Sequence, residues 1–215
     1  MSQIALPLSN PGAAGSPRIV VGNANMAVVE AFSNSAAWPF RTAVLAGPPR
    51  SGKSLLARWF GQTTGGDVID NAGTAGETEL FHHWNRAQEN GAPLLLVSSA
   101  APGAWRIALP DLASRLGAAL HLEIGAPDDA MLAELIAVHA EMRGLALDQT
   151  AAAYLVPRCE RSHLGVERLV GAIDRLSLER KSPPGMAIWR DALEEINGQF
   201  SRACFEPRLV EKSDR

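Results

Sequence analysis

Apolar positions along this chain fall into two kinds of pattern. Unbroken apolar runs at 43–46 (AVLA) and 93–97 (PLLLV) predict strands covered on both faces, and 120–124 (LHLEI) alternates as a strand does. Between them apolar residues recur at helical spacing: at 25–35 through Met26, Val29 and Phe32, at 53–60, at 77–90 before an Asn90-Gly91 stop, and at 109–116 behind a helix-opening proline. A thinner strand is expected at 67–70, where only Val68 and Ile69 are strongly apolar, and 18–22 reads as a short extended piece. After Gly125-Ala126-Pro127 the strand patterns stop. Asp128 and Asp129 open a long helix to Arg143, followed by helices at 147–156, 164–180 and 187–196. Strands alternating with helices, then helices alone, predict an α/β base at 18–126 with a parallel sheet and an all-helical lid at 127–197.

Composition narrows the class without changing that picture. With 215 residues, 47% hydrophobic and 20% charged, the chain is an ordinary globular protein with room for a buried core. No apolar run is long enough to span a bilayer, and no basic-then-apolar leader is present, so a cytoplasmic location is expected. A net charge of −3 offers nucleic acid no bulk attraction, so any role at DNA is expected to run through a protein partner rather than direct sequence-specific binding. Cys159 and Cys204 are distant in sequence and read as reduced thiols. His82 and His83 are helix neighbours that point in different directions, which argues against a shared metal.

Residues 1–17 are rich in Ser, Pro, Gly and Ala and read as a flexible leader; 198–215 read as a polar tail. The leader carries one apolar cluster, Gln3-Ile4-Ala5-Leu6-Pro7-Leu8, whose residues alone fit either a docking peptide or a segment packed on its own domain.

The chemistry is concentrated at 42–60. Gly47-Pro48-Pro49-Arg50-Ser51-Gly52-Lys53-Ser54 fits the phosphate-loop pattern G-x-x-x-x-G-K-[ST] without mismatch, between a predicted strand and a predicted helix. Gly47 and Gly52 let backbone N–H groups turn inward, and the helix N-terminus adds its own unpaired donors where phosphates sit. Lys53 then reaches the outer phosphates and the Ser54 hydroxyl helps hold Mg²⁺. Asp70, ending the thin strand, fits a Mg²⁺-holding carboxylate or an ordinary turn former. Asn71 stands next to it, and a side-chain amide takes no proton from water, so slow intrinsic turnover is expected. Ser98 and Ser99 end the most apolar strand, where open α/β sheets bind ligands; Ser99 fits a γ-phosphate sensor or a plain strand-end turn.

Taken in order, these motifs resemble AAA+ ATPases, and over about residues 3–197 the DnaA/Hda family, its regulatory branch Hda more than the initiator. Val20-Val21-Gly22-Asn23-Ala24-Asn25 is similar to the family segment that lies against adenine, Ile69-Asp70-Asn71 resembles its magnesium-holding strand end, and Leu109-Pro-Asp-Leu-Ala-Ser-Arg-Leu116 is similar to the helix carrying its arginine finger. The resemblance implies an AAA+ P-loop domain with a lid, bound ADP or ATP with Mg²⁺, adenine contact at Val21 and Gly22, and a finger at Arg115 acting in trans. It also implies that Gln3, Ile4, Leu6, Pro7 and Leu8 dock on the DNA polymerase sliding clamp, and that the chain restrains replication initiation by promoting hydrolysis of ATP held by DnaA. Homo-oligomers are compatible with it. Two departures stand out. The interval from Phe60 to Asp70 is too short for a further strand and helix, so the sheet is expected to be reduced. The family's lid arginine falls on Glu167, so either Arg168 takes its place or lid contact with nucleotide is weak. Competing readings are a stand-alone P-loop ATPase or kinase and a nucleotide-independent adaptor.

Overall fold

The computed structural model describes residues 18–99 and 105–203, with side chains through residue 198. The leader with Gln3, Ile4, Leu6, Pro7 and Leu8, and Cys204, lie outside the described residues.

In chain order the elements are α1 (Met26–Ser33), β1 (Thr42–Ala46), α2 (Lys53–Thr64), β2 (Asp67–Ile69), α3 (Glu77–Asn90), β3 (Leu94–Val97), α4 (Pro110–Gly117), β4 (Leu120–Glu123), α5 (Asp129–Met142), α6 (Gln149–Leu155), α7 (His163–Arg180) and α8 (Met186–Ala203). The four strands form one parallel sheet in the order β2-β3-β1-β4, with Thr42 opposite Leu94 and Ala43 opposite Leu120. The two central strands are the two unbroken apolar runs, buried at every position, because helices cover both sheet faces. Strands β2 and β4 lie at the edges and are only partly covered, which is why their patterns are mixed.

Side chains alternate across β1. Val44 joins Leu94, Leu96, Leu80, Leu112 and Leu116 in a core under α3 and α4. Ala43 and Leu45 point the other way, into a larger core that runs without a break from Ile19 through α1, α2 and α5 to Ile196 on α8. An aromatic group anchors it: the Phe32 and Phe60 rings are 4.9 Å apart, Trp38 stacks on Phe60 at 5.1 Å, and Trp38 Nε1 donates to the Ala31 carbonyl. The C-terminal helices start where side chains cap them. Asp128 accepts from the Met131 N–H, Asp148 from Ala151 and Ser162 from Gly165, each contact being worth about 1 kcal/mol.

The predicted elements are present with shifted ends. Helix α2 continues past Phe60 to Thr64 and closes on Gly65 in the left-handed conformation, and α8 continues past Ile196 to Ala203, into the stretch expected to be tail. No strand forms at 18–22. There the buried Asn25 amide bridges the segment to itself, donating to the Val20 carbonyl and accepting from Gly22 N–H, so its backbone is held locally and not by a ladder.

Candidate functional site

The glycine-rich loop leaves the C-terminal end of β1 and opens α2. Gly47 has no room for a side chain: a Cβ there would stand 3.0 Å from Ile124 Cβ and 3.2 Å from Ser51 Oγ. Gly52 has φ +83°, the left-handed turn from which α2 starts, and its carbonyl accepts the Leu56 N–H. Arg50 also has φ +63°, an uncommon conformation for a residue with a side chain. Lys53 Nζ donates to the carbonyls of Gly47 and Pro48, 2.8 Å each, so the ammonium folds back over the loop. Partial burial pushes its pKa below the ordinary lysine value, and the negative charge of Asp70 offsets part of that effect.

That electrostatic coupling ties the end of β2 to the loop across β3. Asp70 is exposed and its Oδ1 accepts from Asn71 N–H, with Asn71 in the left-handed conformation. Ser54 is exposed at the start of α2. At the end of β3 the two serines differ: Ser98 is buried and its N–H donates to Leu45 O, whereas Ser99 is exposed.

Beside the loop lies a cavity of about 200 Å³, between the leading segment, α2, α5 and the start of α7. Its apolar walls come from Ile19, Val20, Leu56, Met131 and Leu135. The leading segment thus lines it with Ile19 and Val20, while Val21 packs half-buried against the core. Gly22 lets this segment lie against α5, since a Cβ there would meet the Met131 Cγ and Sδ at 3.0 Å. The polar side of the wall is Arg50, Ser51, His139 and His163. Burial lowers the pKa of both imidazoles. Lys53 and then His139 add to this at His163; at His139, Arg143 adds to it, Glu167 opposes it and Arg50 adds again.

Arg50 Nε also reaches Glu167 Oε2 on α7, at 3.1 Å, joining loop and helix. Glu167 is therefore a side chain of α7 that pairs with the phosphate loop; Arg168, at the next helical position, is exposed. Motif reading passed over Arg50, which occupies a variable position of the pattern. The two cavity histidines were equally silent, because His139 and His163 lie in separate helices and only folding brings them to one wall. Among the described residues no cluster of His, Cys, Asp and Glu forms a metal cage.

Arg115 sits elsewhere. It occupies the last turn of α4, half-buried, with its guanidinium carbon 4.1 Å from the Trp84 ring centroid and 4.5 Å from that of Phe81, and it donates to Asn85 Oδ1 at 2.7 Å. Because the strands are parallel, the loop after β1 is at the C-terminal edge of the sheet, and Arg115, just before β4, is at the opposite edge. Five residues of strand separate these edges, about 16 Å at 3.3 Å per residue.

No family model matches the chain. Solved structures similar to it include domain III of the replication initiation protein DnaA from Thermotoga maritima, at 15% identity and TM-score 0.67, covering 83% of this chain and 94% of that one. Another is the RuvB Holliday junction branch migration motor of the same organism, at 18% identity and TM-score 0.55, covering 80% and 68%. A third is the replication initiator DnaA bound to AMPPCP and single-stranded DNA, at 19% identity and TM-score 0.57, covering 76% and 66%. At these identities the likeness is one of fold, and the fold is that of an AAA+ P-loop domain.

Proposed function

We propose that this chain is an adenine-nucleotide-binding AAA+ regulator of replication initiation, acting in the cytoplasm on a partner's bound ATP more than on its own. The observation that carries the reading is the placement of Arg115 at the sheet edge opposite the chain's own phosphate loop, on a helix that resembles the family's finger helix. An arginine so placed serves a neighbouring molecule. A guanidinium inserted in trans stabilises charge on the transferring phosphoryl group and is worth roughly 10³ to 10⁵ in rate.

In this reading the loop and cavity hold ADP or ATP, with the base against Val20 and Leu56 and the phosphates under the loop N–H groups. Ser54 and Asp70 are oxygen donors flanking the loop, a set that suits Mg²⁺, which takes one or two protein oxygens and completes its shell with phosphates and water. Bound Mg²⁺ would neutralise phosphate charge; this chain's residues orient the nucleotide. Residues 18–126 form the base and 127–197 the lid, whose angle the nucleotide sets. Gln3, Ile4, Leu6, Pro7 and Leu8 dock on the sliding clamp, and DnaA is the partner whose ATP Arg115 approaches. The DnaA likeness in fold supports a replication role.

The test is hydrolysis of DnaA-bound ATP with and without this protein and DNA-loaded clamp. Stimulation that disappears in Arg115→Ala, with clamp binding retained, is expected; undiminished stimulation sinks the mechanism. Replacing Gln3, Leu6 and Leu8 by alanine is expected to weaken clamp binding. A second reading, a nucleotide-independent adaptor, is favoured by Glu167 at the lid-arginine position, where it pairs with Arg50. A thermal shift with ADP–Mg²⁺ that Lys53→Ala abolishes rules it out, since a ligand that binds only the folded state stabilises that state.

A further inference from the structure

A charged tie joins the phosphate loop to the helical lid: Arg50 Nε meets Glu167 Oε2 at 3.1 Å. Arg50 stands two residues before Gly52, inside the loop, and Glu167 lies in the second turn of α7. The loop holds Arg50 at φ +63°, a left-handed conformation that glycine takes freely and a residue with a side chain does not. Backbone strain of this kind collects at ligand clamps.

The charges in this region act on one another. The Lys53 charge is felt at His163, the charges of Arg50 and Glu167 are both felt at His139, and the two imidazoles share a cavity wall with Arg50. Two loop cations and one lid carboxylate therefore bear on the same small space. An anion seated under the loop N–H groups attracts Arg50 and repels Glu167. A diphosphate carries more negative charge than one carboxylate and offers the planar guanidinium several oxygens. By comparison the Glu167 pair is weak, because 67% of the Arg50 side chain is accessible to water.

We propose that Arg50 is a phosphate-binding residue of this loop and that Glu167 competes with the nucleotide for it, so that nucleotide binding exchanges one partner of Arg50 for the other. This rests on the nucleotide reading above. It adds a cation that the phosphate-loop pattern does not specify, and a carboxylate that restrains affinity. The exchange also unties α7 from the loop, which gives the nucleotide a hold on the lid.

The test is titration calorimetry of the full chain with ADP–Mg²⁺ at low ionic strength, where screening is weakest. Glu167→Gln keeps the shape of the side chain and removes its charge. It should bind ADP roughly two- to fivefold more tightly than wild type, the range set by a partly exposed ion pair. Without ligand its melting temperature should be equal or slightly lower, since the pair is lost. Tighter binding without a gain in stability is a combination that loosened packing does not produce. Arg50→Gln should bind ADP about tenfold more weakly, the loss of one charge-assisted hydrogen bond. Beside Arg50→Gln, the gain from Glu167→Gln should shrink, because there is no guanidinium left to compete for. ADP affinity that Glu167→Gln leaves unchanged or lowers, or that Arg50→Gln leaves unchanged, overturns the assignment. An equally large gain from Glu167→Gln in both backgrounds also overturns it, since that is the carboxylate's charge acting alone. In each of these outcomes wild type still binds ADP and the nucleotide reading stands; wild-type protein that does not bind ADP removes both.

Discussion

Arg115→Ala is the variant on which the functional reading turns, and the surroundings of Arg115 show that it will also cost stability. The guanidinium lies over two rings and donates to Asn85. A cation over an aromatic face at a partly exposed site contributes about 0.5 to 1 kcal/mol, and a hydrogen bond from a charged group about 1.5 to 3 kcal/mol. The three contacts share one group and do not add fully. With Arg115 half-buried, we expect a loss of about 2 kcal/mol, which for a chain of this size lowers the melting temperature by roughly 4 to 8 °C. Urea and thermal unfolding of wild type, Arg115→Ala, Arg115→Lys and Asn85→Ala measure it. Asn85→Ala removes only the hydrogen bond and should cost about 1 kcal/mol. An Arg115→Ala protein within about 0.5 kcal/mol of wild type, the range of an ordinary surface substitution, would refute the stacked arrangement. The same magnitude bears on the proposed finger. Leaving the rings at a cost of about 2 kcal/mol would lower its effect by roughly thirtyfold, which is less than the 10³ to 10⁵ that a finger supplies. Stimulation must therefore be compared at a temperature where every variant is folded.

Two further expectations follow from the loop and the cavity. The Arg50–Glu167 pair has one exposed partner, with 67% of the Arg50 side chain accessible, so a double-mutant cycle with Arg50→Ala and Glu167→Gln should give a coupling of only about 0.2 to 1 kcal/mol, shrinking with salt; a coupling above 2 kcal/mol that salt does not change would contradict solvent screening. His139 and His163 have folded-state pKa values below the ordinary 6.5, so as pH falls through that value the unfolded chain takes up protons first, and stability present at pH 7 and above is progressively lost toward acid. Each histidine contributes a slope of at most about 1.4 kcal/mol per pH unit. Urea midpoints of His163→Leu between pH 7.5 and 5 should fall less steeply than those of wild type, and parallel curves would count against a neutral buried imidazole.

The strand at 94–97 and the loop at 47–54 were legible because each is written in contiguous residues whose physical requirements are local. A short apolar run bounded by Gly91-Ala92-Pro93 and by two serines is too short for a buried helix and fits a strand covered on both faces, and a glycine-punctuated turn before a helix can present its N–H groups in few ways. The short interval before Asp70 likewise pointed to a reduced sheet, and the described residues form one of four strands. The caps at Asp128, Asp148 and Ser162 likewise depend on neighbours only three residues away.

What the sequence determined by itself was therefore the class of fold and the phosphate loop around Lys53 and Ser54, since both rest on short-range patterns. Only the tertiary structure decided what faces that loop. Glu167 meets Arg50, His163 and His139 share a wall with Val20, and Arg115 lies on Trp84 at the far edge of the sheet. Each of these is a meeting of side chains from distant segments. Whether a residue at a given helical position meets a loop, a cavity or a ring is set by how the helices pack, and spacing along the chain does not encode that.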